Sequence, residues 1–191
     1  MYIVFEGVDT SGKTTQIELL KQSYHDAIMT KEPGGTAIGQ ELRTILLEKG
    51  LKSFIAEMFL FLADRAEHFE RVIKPNKNKL ILSDRGFVSG IAYALTNHPE
   101  LDINFLLDLN KFALEGNLPD KVILFKTTKE LILSRMSKKR EDAIEQRGIE
   151  YLLKVQDNMI KVLETLDINY YMIDSSKSIE EISQEIKGIL S

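Results

Sequence analysis

A chain of 191 residues is long enough to bury a substantial core and suits one domain spanning residues 1–191. Hydrophobic residues at 43%, charged residues at 28% and a formal net charge of -4 are ordinary for a globular protein and give no reason to expect a nucleic acid or an anionic membrane as partner. The absence of cysteine excludes disulfides and thiolate metal ligands, and no apolar run approaches the ~18 residues of a membrane span, so the expected location is cytoplasmic.

Five short apolar runs punctuate the chain: "YIVFE" at the start, "AIMT" ending at Thr30, "LILS" ending at Ser83, "KVILFK" from Lys121 and "YYMI" ending at Ile173. Each is continuous rather than alternating, as expected of strands buried on both faces. Stretches with helical spacing lie between them, among them "IGQELRTILL" and "IEYLLKVQDNMIKVLETL". In the second, Leu152, Val155, Met159, Val162, Leu163 and Leu166 fall on one helical face. Alternation of this kind predicts an α/β fold, a five-stranded parallel sheet flanked by helices, with right-handed crossovers. The "NKNK" run after Pro75 reads as a solvated turn.

Gly7, Gly12, Lys13 and Thr14 satisfy the GxxxxGK-S/T spacing in "GVDTSGKTT", with a strand entering and a helix leaving. The residue types follow from the chemistry. Glycines allow backbone angles that turn successive N–H groups inward, and the helix N-terminus adds partial positive charge. Residues Gly7, Val8, Asp9, Thr10, Ser11, Gly12, Lys13, Thr14 and Thr15 are therefore the expected cradle for the phosphates of ATP. Lys13 would reach the β/γ-phosphates and Thr14 would ligate Mg2+. Asp84, directly after "LILS", stands where a second acidic residue organises the metal's water; alone, such an Asp caps a helix or a turn.

The acceptor is narrowed by what is missing. A guanine-reading Asn-Lys-x-Asp loop does not occur: Asn-Lys pairs at 76, 78 and 110 have no Asp three residues after the Asn. A small P-loop domain with arginines on several loops suits a kinase that folds over two nucleotides. Another small P-loop kinase, and a nucleotide-binding regulator that has lost transfer, remain alternatives at this point.

The segments "FEGVDTSGKTTQ", "TKEPGGTAIGQELRTILL", "AEMFLFLADRAEHF", "SDRGFVSGIAY", "LNKFALEGNLPDKVILF" and "IEQRGIEYLLKVQ" follow in the order found in bacterial thymidylate kinases. The resemblance covers nearly the whole chain. It implies a P-loop nucleoside monophosphate kinase fold with a short lid at about 135–148, ATP and Mg2+ as cofactors, phosphorylation of dTMP to dTDP, and a homodimer. It further implies site roles. Asp9 lies near the acceptor's sugar and phosphate, and Arg43 and Arg85 hold the acceptor's phosphate. Phe61 stacks on the base while Arg65, one helical turn later, reaches its carbonyl edge. Without the resemblance, Phe61 among Met58, Phe59 and Leu62 reads as core. Ser89, Gly90 and Tyr93 line the base and sugar, and Arg135 and Arg140 of the lid, with Lys139 behind them, close over ATP. His25, His68 and His98 lack metal-ligand spacing and read as surface or core.

The chain departs from the family pattern at several positions. Lys31 stands for an Arg before Glu-Pro-Gly-Gly, keeping charge and losing the fork. Thr10 stands where the loop often has Gly, which leaves the loop's course open. Gly86 and Ala94 stand where many relatives carry Tyr and Gln, Gly90 likewise offers no polar side chain, and Ala143 replaces a lid Arg, with Arg140 or Arg147 as substitutes.

Overall fold

The computed structural model describes residues 1–136 and 148–190. The five apolar runs are its five strands: β1 (Tyr2–Glu6), β2 (Ile28–Lys31), β3 (Ile81–Asp84), β4 (Lys121–Lys126) and β5 (Asn169–Asp174). They make one parallel sheet in the order β2-β3-β1-β4-β5. In register, Phe5 of β1 lies beside Asp84 of β3 and Ile123 of β4, and Lys31 of β2 also lies beside Asp84. The loops that leave the strands thus gather at one edge of the sheet, where open parallel sheets bind ligands.

Strand alternation sorts the core into two layers. Ile3, Phe5, Leu82, Ile123 and Phe125 face Leu20 of α1 (Lys13–Ser23) and Ile182 and Ile186 of α8 (Ile179–Leu190). Tyr2, Val4, Ile81, Val122 and Leu124 face the other way. There they meet Val88 and Ile91 of α4 (Phe87–Asn97) and Val155, Met159 and Val162 of α7 (Ile149–Glu164). The apolar face read from the sequence of α7 is the buried one, except that Leu166 lies past the helix end and is half-buried. Each fully buried aliphatic side chain contributes roughly 1.5–3 kcal/mol, so α4 and α7 clamp the sheet strongly.

The remaining helices are α2 (Ala37–Thr44), α3 (Phe54–His68), α5 (Ile103–Ala113) and α6 (Lys129–Met136). Side-chain caps start all four: Thr36 accepts from the N–H of Gly39, Ser53 from Ala56, Asp102 from Asn104 and Thr128 from Leu131. Both α2 and α3 run on as wider π turns, Ile45–Lys49 and Phe69–Ile73. The "NKNK" run is a turn, closed by Lys79 N–H on Asn76 O.

One expectation fails at the sheet's margins. "YYMI" does not lie buried on both faces: Tyr171 and Met172 of β5 are 38% and 46% exposed. A continuous apolar run does not reveal that its strand is the last in the sheet and that helices cover it only in part. β2, at the opposite edge, is likewise only half-buried.

Candidate active site

The turn after β1 is built for close backbone approach. Gly7 has φ +145, and a Cβ there would stand 3.0 Å from both the Phe125 carbonyl and the Ser11 hydroxyl. Gly12 has φ +99 and gives α1 no capping side chain, so the helix's first N–H groups are left for a ligand. Lys13 folds back under the turn and donates to the carbonyls of Gly7 at 2.8 Å and Val8 at 3.3 Å. Burial lowers its pKa to about 8, with Arg85 pushing the same way and Asp84 and Asp9 opposing. The Val8 side chain belongs to the core, so this residue offers the cradle only its backbone. Thr14 and Thr15 are exposed in the first turn of α1. Three buried oxygens around the turn have no hydrogen-bond partner among the described residues: Thr10 Oγ1, Ser11 Oγ and Asp84 Oδ1. Thr10 itself takes φ +67, the conformation that the commoner Gly adopts freely, at a cost of ~1–2 kcal/mol.

The cradle is joined to the start of α4 by a chain of polar contacts. Arg85 donates from Nη1 to Gly7 O at 2.9 Å and to Ser89 Oγ at 3.1 Å, and from Nη2 to Asp9 Oδ1 at 2.5 Å. Ser89 in turn donates its hydroxyl to Glu6 Oε2. The other Glu6 oxygen accepts the N–H groups of Gly86 at 3.0 Å and Ser89 at 3.2 Å. Gly86 has no side chain to cap α4, so Glu6 caps it from the sheet. Burial raises the Glu6 carboxyl above its usual range, and the Ser89 hydroxyl and Arg85 oppose that rise. Ser89, expected near base and sugar, is 6% exposed and links Glu6 to Arg85.

On the α3 side, Phe61 is half-buried and Arg65 is 3% exposed. Arg65 Nε donates to Glu32 Oε2 at 2.8 Å and Nη1 to Asn110 Oδ1 at 2.6 Å. His68 Nδ1 lies 2.7 Å from the other Glu32 oxygen, and its Nε2 lies 2.6 Å from Thr30 Oγ1. Burial alone would raise the Glu32 carboxyl; Arg65 and His68 hold it below the usual carboxylate range. Asp64 Oδ1 accepts the Gly34 N–H at 3.0 Å, and burial raises this carboxyl to about 6. Gly35 stands against the His68 ring, where a Cβ would come within 2.6 Å. The loop 32–35 is therefore clasped to α3 twice. Arg43 of α2 packs on Gly34 and donates to Pro33 O at 3.0 Å. Gly90 faces Arg65, and half-buried Tyr93 lies 6.3 Å from the Tyr151 ring, centroid to centroid.

Arg135 of α6 reaches over the cradle. Its Nη1 donates to Thr10 O at 2.8 Å and its Nη2 to Ser175 O at 2.7 Å. Arg140, with Lys139, Ala143 and Arg147 of the expected lid, lies outside the described residues.

Five side chains at this site were not singled out from the sequence: Glu6, Glu32, Asp64, Asn110 and His68, the last read only as surface or core. Glu6 carried one usable signal, an acid ending an otherwise apolar strand. The other four depend on partners between 30 and 45 residues away for Asp64, Glu32, His68 and Asn110, a range over which periodicity carries no information.

A parallel sheet in this order, with a glycine-rich strand-to-helix turn and cationic side chains on the facing loops, defines a P-loop nucleotide kinase. The chain matches the family model "Thymidylate kinase" over residues 5–186. It is 55% identical over 193 residues to a thymidylate kinase of Campylobacter concisus, covering 100% of this chain and 99% of that protein. It is 54% identical over 186 residues to one of Sulfurovum sp., covering 97% of each. Among solved structures, a thymidylate kinase from Ehrlichia chaffeensis aligns with TM-score 0.77 at 26% identity, covering 100% of this chain and 97% of that one. The chain belongs to the thymidylate kinase family, and its activity is the phosphorylation of dTMP to dTDP with ATP.

Proposed function

We propose that transfer runs between two nucleotides held face to face at the edge of the sheet. ATP lies with its phosphates in residues 7–15, and dTMP lies against Phe61 and Arg65 with its phosphate at Arg85 and Arg43. One observation carries this reading: Arg85 is bonded at once to Gly7 and Asp9 of the cradle and to Ser89 of α4, so a phosphate that takes its free donors lies beside the cradle. An arginine's fork can engage two phosphate oxygens and keep a third aligned with the donor phosphoryl group.

Catalysis in this arrangement is positioning and charge neutralisation. The attacking atom is a phosphate oxygen already ionised near neutrality, so no strong base is needed. Lys13, freed from the Gly7 and Val8 carbonyls, turns to the donor phosphates, and Arg135 meets the same charge from α6. Asp9 lies on the acceptor side of the turn and orients Arg85. Mg2+ fits here: Asp84 Oδ1 is a buried hard oxygen without a partner among the described residues, and Thr14 is exposed in the first turn of α1, where the N-cap Gly12 brings no competing side chain. When bound, the ion supplies positive charge to the phosphoryl oxygens. Asp84 and Thr14 would hold it, in part through water.

The same reading makes residues 1–191 one catalytic unit, working in the cytoplasm as a homodimer. No helix among the described residues is long and apolar enough to cross a membrane. Ile55 and Phe59 on α3 and Phe105 and Phe112 on α5 are 51%, 56%, 53% and 86% exposed, large apolar side chains of the kind a second copy covers.

The test is turnover of purified protein with ATP over a panel of dTMP, dUMP, dCMP, dGMP and thymidine, with and without Mg2+. ADP release that requires both metal and acceptor, fastest with dTMP, is expected. Metal-independent turnover, or thymidine outrunning dTMP, would contradict the arrangement.

A further inference from the structure

The Arg65 guanidinium is held from two sides. Nε is taken by Glu32 at 2.8 Å and Nη1 by Asn110 at 2.6 Å. Both partners are themselves fixed. Glu32 is braced by His68, and His68 by Thr30. Asn110, 5% exposed, donates its Nδ2 to Leu106 O at 2.7 Å in its own helix, which turns the amide oxygen toward the arginine. Among the described residues Nη2 has no hydrogen-bond partner. The guanidinium lies against Gly90, where a Cβ would stand 3.6 Å from Nη2 and 3.8 Å from Nη1. Neither Gly90 nor Ala94 brings a polar side chain to that space.

We propose that Asn110 is a specificity-determining positioning residue: together with Glu32 it takes the Nε–H and one N–H of Nη1, which fixes the guanidinium plane, and Nη2, which neither partner engages, is the donor that meets the acceptor base. This rests on the placement of the base against Phe61 and Arg65. A guanidinium only donates, so a fixed Nη2 pairs with a carbonyl at the base's 4-position and opposes an amino group there, donor against donor. A buried polar edge left unpaired is what discriminates strongly between such analogues. Fixation is essential to this. Without Asn110 the guanidinium hinges on its single bond to Glu32 and swings away from the conflict, so an aminopyrimidine is no longer refused. Because Gly90 and Ala94 are silent, no second side chain at those positions restores the choice.

The test compares Asn110→Leu, which keeps approximate size and removes the acceptor, with Asn110→Asp, which keeps an acceptor. Arg65→Gln serves as the control, and kcat and KM are measured separately for dTMP and dCMP. For Asn110→Leu, KM for dTMP should rise about tenfold with kcat within about twofold, and the dTMP-to-dCMP ratio of kcat/KM should fall about tenfold. Asn110→Asp should hold that ratio within about threefold of the parent. Should Asn110→Leu fail to fold, Asn110→Ala carries the same expectation. If Arg65→Gln abolishes selectivity while the Leu and Ala variants keep it, or if the Asp variant loses it as fully as they do, the role given to Asn110 is overturned. If Arg65→Gln itself leaves KM and selectivity unchanged, the base does not lie at Arg65 and the underlying site reading fails as well.

Discussion

Arg85 donates from Nη1 to the carbonyl oxygen of Gly7 at 2.9 Å, across 78 residues of sequence. The first residue of the donor cradle and the arginine assigned to the acceptor are thus one hydrogen-bonded unit. Arg85 holds φ +67 there, a strained backbone for a non-glycine residue, as is common where a side chain must be aimed.

That unit makes Arg85 the most sensitive side chain of the acceptor clamp. Arg85→Lys keeps the charge and loses the fork, and should lower kcat/KM for dTMP about 10²–10³-fold. Lys77→Ala removes a bond to Asn117 in the turn on the far side of the fold and should change kcat/KM less than about twofold. Steady-state kinetics on both variants decide it; equal losses would discredit the site map.

Glu6 is fully buried and satisfies two N–H groups and one hydroxyl at the head of α4. Glu6→Ala leaves those donors unpaired and should cost about 3 kcal/mol of stability, whereas Glu6→Gln, which retains an acceptor, should cost about 1 kcal/mol. Urea unfolding of both measures this. A Glu6→Ala protein as stable as the parent would show that α4 needs no cap from the sheet.

Asp64 gives a signed pH dependence. Its folded carboxyl titrates at about 6 against a reference of 3.8, so between those values the folded state binds more protons than the unfolded one. Its contribution to stability is therefore present at the acid end of that window and is lost as pH rises through about 6. Asp64→Asn keeps an acceptor for the Gly34 N–H and carries no charge. Its melting temperature should match the parent near pH 4 and exceed it by a few degrees at pH 7.5. A gap that is constant, or that closes as pH rises, would contradict the burial cause.

The exposed apolar side chains on α3 and α5 predict self-association. Sedimentation velocity at micromolar concentration should give a dimer, and Phe59→Asp, at a side chain 56% exposed, should shift it to monomer while the helical circular dichroism of the parent is kept. A parent protein that sediments as a monomer would remove the homodimer from the account.

Much of the fold was legible because its signals are local. Each strand is a contiguous apolar run, α7 repeats its apolar residues on one face, and Gly7, Gly12 and Lys13 fall at fixed spacing. The exposure of β5 was not legible, since position in a sheet is not written in the strand's own residues. Within the site, Arg65 and Arg85 were named, and so were Gly7, Asp9 and Ser89 that hold Arg85, but the partners that hold Arg65 were not. Glu32, Asn110 and Glu6 act by long-range pairing in the interior, and a buried charge reads as a surface charge until its partner is located. His68 is the sharpest case: one ring bridges Glu32 and Thr30, and its sequence neighbours reveal neither.

The central claim is that donor and acceptor nucleotides meet face to face between the glycine turn and α3. A crystal structure with a dinucleotide joining adenosine to thymidine through a phosphate chain tests it most directly. The account predicts phosphates in the N–H groups of residues 7–15 and the thymine ring on Phe61 with its 4-carbonyl at Arg65. A thymine ring lying away from both side chains would contradict it.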